Sequence, residues 1–65
     1  MKFWVARDGG EDSDFLGLYS TKPILNKFNE WDNSDYERPI GLPSDMFPEV
    51  TFENSPQEVE IKLVN

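Results

Sequence analysis

Asp8, Glu11, Asp12 and Asp14 bring four carboxylates into seven residues, and oxygen-rich loops of this kind hold calcium, an ion that takes about six to eight oxygen ligands. The spacing departs from a calcium loop: Gly9 and Gly10 come early and no helices flank the run. A solvated hairpin tip or a partner contact is the better reading, and no metal is expected. Glycoside hydrolysis would need two carboxylates about 5–10 Å apart in a cleft that raises the pKa of one. Thirteen acidic residues make such a pair unavoidable by chance, but a core this small leaves little room for a ligand pocket of roughly 300–1,000 Å³. Ser13, Ser20, Ser34, Ser44 and Ser55 sit in turn-like contexts without a glycine elbow, and the chain has no histidine to activate them. Gly9 and Gly10 lack the lysine and helix of a phosphate-binding loop and read as turn geometry. No catalysis and no cofactor are expected.

The remaining candidates are rings and charge. Nine aromatic residues could include a sugar-stacking platform, yet so short a chain needs most of its rings for the core. Trp31 and Tyr36, beside the polar run Asp32 to Asp35, are the rings expected at the surface, and a carbohydrate-type site on them is the alternative functional reading. Net charge is −7, and the six basic residues, at positions 2, 7, 22, 27, 38 and 62, are scattered. That balance repels phosphate backbones and anionic lipid heads, so direct nucleic-acid binding is not expected. The apolar run Phe3 to Ala6 is broken by Arg7 and Asp8, and no stretch approaches the roughly 20 apolar residues of a membrane span. A cytoplasmic protein that touches no membrane is expected.

A chain of 65 residues makes one domain, because it removes only about 60% of its unfolded surface from water and cannot divide that between two cores. Without Cys or His there is no disulfide or zinc staple, so packing, a partner chain or self-association must supply the stability. The patterning predicts a mainly β fold: a single small antiparallel sheet of four or five strands, with a proline-rich connector and at most one short helical turn. The first hairpin is placed at 2–8 and 14–20. Its first strand carries apolar groups on both faces, which marks it as interior, and Gly17 in the second marks a bulge or a place where an aromatic ring lies over the backbone. Residues 23–31 are ambiguous between helix and strand, because Ile24, Phe28 and Trp31 share a helical face while Pro23, Asn26 and Asn29 oppose a helix; extended structure is favoured. Pro39, Pro43 and Pro48 forbid a continuous helix, Ser44 and Asp45 suit the cap of one helical turn, and Met46 and Phe47 are expected to plug the core. A terminal hairpin is placed at 49–53 and 58–64, where Val50 and Phe52, then Val59, Ile61 and Leu63, alternate with polar residues around a Ser55-to-Glu58 turn.

The segments Lys2 to Gly9 (KFWVARDG) and Leu42 to Leu63 (LPSDMFPEVTFENSPQEVEIKL), about half of the chain, resemble short proteins of intestinal bacteria and their prophages. The resemblance implies a small accessory or host-modulating product and carries no activity, cofactor or functional residue with it.

On the residues themselves, the leading function is a non-enzymatic interaction protein that meets a basic protein surface. Its contact residues are expected to be Asp8, Glu11, Asp12 and Asp14 on the hairpin tip and Glu49, Glu53, Glu58 and Glu60 on the outer sheet face, where they would steer and orient a positively charged partner. The same charges also serve solubility by keeping sheets from adding to one another. A structural subunit of an assembly is a third reading, expected if the sheet exposes a large apolar patch or pairs across a symmetry axis.

Overall fold

A computed structural model describes residues 1–9, 15–33 and 38–64. The chain is mainly β. Strands β1 (Lys2–Arg7), β2 (Leu16–Tyr19), β3 (Ile24–Leu25), β4 (Trp31–Asp32), β5 (Ile40–Leu42) and β6 (Gln57–Glu60) form an antiparallel four-stranded sheet in the order β5-β2-β1-β6 and a separate two-stranded ribbon, β3-β4. The first hairpin is present, with Trp4 opposite Tyr19 and Arg7 opposite Leu16. β1 lies inside the sheet, as its two apolar faces require. β5 occupies the gap between Pro39 and Pro43 and lies at an edge, where proline is tolerated.

Register divides the side chains into two layers. Val5 and Leu16, with Leu18, Leu42 and Val59, point to one face, where Val50 and Phe47 from the loop after β5 complete an aliphatic core. Val5 and Leu16 are fully buried. Trp4, Ala6, Gly17 and Tyr19 occupy the opposite face. There the Tyr19 and Phe15 rings lie so close over Gly17 that a Cβ would come within 2.9 Å of the Tyr19 ring. Gly17 therefore answers to a ring over the backbone, and its value is space rather than dihedral freedom.

The ribbon resolves the ambiguity of residues 23–31 in favour of extended structure. The Asn26 carbonyl oxygen of the side chain accepts from the amides of Phe28 (2.8 Å) and Glu30 (3.1 Å), so the backbone donors a helix would use are taken locally. Asn29 adopts a left-handed conformation (φ 61°), which asparagine tolerates better than most residues.

Several expectations are corrected. The sheet is not single, because β3 and β4 pair only with each other. The terminal hairpin of 49–53 with 58–64 does not form: 49–53 contains no strand, and β6 pairs antiparallel with β1, setting Lys2 opposite Glu60 and Val5 opposite Gln57. The reason lies in the backbone partners of residues 47–55. Val50 N donates to Phe47 O, Thr51 N to Asn54 Oδ1, Asn54 N to Thr51 Oγ1, and Asn54 Nδ2 to Glu49 O, which closes a run of turns and leaves few groups for a ladder. The Ser55-to-Glu58 turn is likewise absent, since no backbone bond closes it and β6 begins at Gln57. The turn at Pro43 to Met46, closed by Met46 N donating to Pro43 O at 3.0 Å, replaces the expected helical turn. Phe47 packs on the core as expected, whereas Met46 is exposed.

Arg7 holds this loop to the sheet. Its Nε donates to Val50 O at 2.6 Å, and its Nη2 donates to Ser44 O at 2.8 Å and Phe47 O at 3.1 Å. Its backbone N–H donates to Ser55 Oγ at 2.9 Å, where the β1-β6 ladder would otherwise continue. Lysine keeps the charge but not the planar fork that reaches several carbonyls together. Arg7→Lys is expected to lower the unfolding free energy by about 1.5–3 kcal/mol. Urea denaturation of the two proteins checks this, and equal midpoints would remove Arg7 from its anchoring role.

Candidate functional site

The acidic residues proposed for partner contact are distributed differently from the sequence expectation. Asp8 is no part of a solvated tip. It is only 7% exposed, and its Oδ1 accepts from the Trp31 amide at 3.0 Å, because the ribbon folds over the end of β1 and needs an acceptor there. Glu11, Asp12 and Asp14 lie outside the described residues, as does Tyr36. Among the described residues no three acidic side chains converge as metal ligands.

Glu49 and Glu53 stand exposed on the turns before β6, and Glu58 and Glu60 stand exposed on β6 itself. They do not share one regular sheet face, since 49–53 is not a strand, but Glu49 and Glu58 border one cleft. Lys2 lies 3.3 Å from Glu58 and Lys62 lies 3.9 Å from Glu60, all four side chains well exposed. Such pairs contribute about 0–1 kcal/mol each and exchange readily. Beside β6 lie two open clefts that share Phe47 and Val59. One, of about 400 Å³, is lined also by Glu49, Val50, Asn54, Gln57 and Glu58. The other, of about 270 Å³, is lined mainly by apolar groups from Leu18, Leu42, Met46 and Ile61. Exposed carboxylates and apolar surface thus lie side by side along β6.

Trp31 does not form an open stacking platform. It is half-buried, its indole N–H donates to Arg7 O at 3.0 Å, and its ring packs at 6.2 Å and 53° against Phe52. Buried indole N–H groups take a partner, and here the partner is the end of β1. Phe28, at the tip of the ribbon, is the most exposed ring among the described residues, 67% accessible. Sequence reasoning passed over it because it shared a helical face with Ile24 and Trp31, a pattern that disappears once the segment is extended. It also passed over Arg7, which looked like an interruption of an apolar run. Its approach to backbone carbonyls more than thirty residues away leaves no local signal.

The aromatic layer is electrostatically tuned. Burial pushes the Tyr19 phenol well above its ordinary 10.0, and the negative charges of Asp8, Asp32 and Glu30 push it further. The protonated hydroxyl donates to Trp31 O at 3.0 Å, tying ribbon to sheet. No family model, curated protein or solved structure matches the chain, and no helix of the described residues is long and apolar enough to cross a membrane.

Because the folded-state value of Tyr19 lies above the unfolded one, its contribution is complete below about pH 10 and is lost as pH rises from there toward the folded value. Unfolding free energy should therefore fall above about pH 10 with a Tyr19 contribution of up to roughly 1.4 kcal/mol per pH unit. Tyr19→Phe removes that contribution. Parallel stability profiles for the two proteins in alkaline solution would contradict the assignment.

Proposed function

We propose that this protein is a non-enzymatic interaction protein whose β6 flank, carrying Glu49, Glu53, Glu58 and Glu60, docks on a basic surface of another protein. An accessory role in a bacterial or prophage setting belongs to the same proposal. The observation that supports it is the placement of exposed carboxylates beside open clefts on a chain of net charge −7. Charge of this kind speeds encounter and fixes orientation, while the apolar surface beside it supplies area to bury. Lys2 and Lys62 neutralise part of the flank locally, but exposed pairs yield easily to a partner's own Lys or Arg. The ligand-binding alternative at Trp31 has no comparable support, since that ring and its N–H are engaged within the fold.

Affinity capture from the native cell, with the wild type and the double variant Glu58→Lys/Glu60→Lys, tests the reading. Both side chains are exposed, so the variant is expected to fold. Basic proteins retained by the wild type should drop by about tenfold in the variant, and also as the Debye length shrinks from about 10 Å toward 3 Å in high salt. Capture that ignores both changes would discard the acidic flank as the contact.

A further inference from the structure

We propose that the outer edge of β6 is a strand-addition site for an extended partner segment in which basic and apolar residues alternate. The inference rests on the acidic-flank reading and specifies how that flank is used.

Backbone phase carries it. The Ile61 N–H donates to Met1 O at 2.8 Å and the Met1 amine donates to Ile61 O at 3.2 Å, which makes Met1 and Ile61 a doubly bonded antiparallel pair. Alternation along the ladder then bonds Phe3 to Val59 and Val5 to Gln57, and leaves the Lys2–Glu60 and Trp4–Glu58 positions unbonded across the pair. On β6 the N–H and C=O groups of Glu58 and Glu60 therefore point away from β1. β6 is the last strand of its sheet, and among the described residues no turn or loop bond uses those groups. An edge of this sort is a template for another strand.

Side chains select which strand. An added segment sets two residues beside Glu58 and Glu60, on the carboxylate face, and the residue between them on the opposite face beside Val59. The first two positions call for Lys or Arg. The middle position calls for an apolar group, because Val59 lines both clefts and the smaller of them is chiefly apolar. A second copy of β6 fits less well: laid antiparallel so that the strands overlap, it sets Glu58 opposite Glu60, and like charges directly opposite are destabilising. The other sheet edge, β5, is three residues long and carries no charge to select a partner.

Isotope-labelled protein titrated with a short capped peptide alternating lysine and valine tests the inference. Two controls accompany it: a peptide of the same composition with the valines adjacent, and the alternating peptide N-methylated at its lysines. The alternating peptide should bind about tenfold tighter than either control and slow hydrogen exchange at the Glu58 and Glu60 amides by about tenfold or more, while the Val59 amide, already bonded to Phe3, is unchanged. Lys2→Ala should tighten binding severalfold by freeing Glu58. Equal binding of all three peptides without slowed exchange would overturn strand addition and leave the acidic flank standing. No binding by any of them would overturn both readings. Slowed exchange at the same two amides in the protein alone, rising with its concentration, would assign the edge to a second copy and overturn the basic partner.

Discussion

From the end of β1 the guanidinium of Arg7 reaches three carbonyls, Ser44 O, Phe47 O and Val50 O, in a loop that has no strand to satisfy them. The rest of the molecule depends on that contact. An unpaired carbonyl near the core costs about as much as a lost hydrogen bond; Phe47 O already accepts from Val50 N, and the planar guanidinium, with several N–H groups in a fixed fork, reaches all three from one position. The loop so held delivers Val50 and Phe47 onto Val5 and Leu16, which completes the aliphatic core. In a domain without disulfides the ordering of that loop stands in for a staple.

The same loop joins the two faces of the sheet. Phe52 leaves it to lie over Gly9, where a Cβ would meet the ring at 2.9 Å, and to pack on Trp31. Trp31 in turn donates its indole N–H to Arg7 O, receives the Tyr19 hydroxyl at its carbonyl and donates its amide to Asp8. Every buried side-chain nitrogen and oxygen among the described residues has a partner, and in a low-dielectric layer that condition makes the network hold one arrangement. Asp8 is thus a structural acceptor, and the exposed carboxylates lie elsewhere.

Charge acts on the open edge of the sheet in two ways. Carboxylates along β6 disfavour addition of an identical strand, which is how natural sheets avoid growing into aggregates. The same charges would favour a strand of opposite charge over a like-charged one. The clefts beside Val59 add the apolar component that charge alone lacks, since exposed ion pairs contribute little to affinity.

Composition and local alternation made the β class, the first hairpin and the interior position of β1 legible, because each follows from side chains within a few residues of one another, whereas they left 23–31 open between helix and strand and Gly17 open between a bulge and an overlying ring. They also made Glu58 and Glu60 legible as wet positions of a strand. They failed at Val50 and Phe52, whose alternation mimics a strand although one residue enters the aliphatic core and the other crosses to Gly9 and Trp31. Periodicity reports which positions are dry; it does not report which backbone carbonyls remain free for a ladder. That was decided in the folded chain by Thr51, Asn54 and Ser55 within the loop and by Arg7 from 37 to 43 residues away, and their claims on the backbone gave β6 to β1 and left its outer edge open.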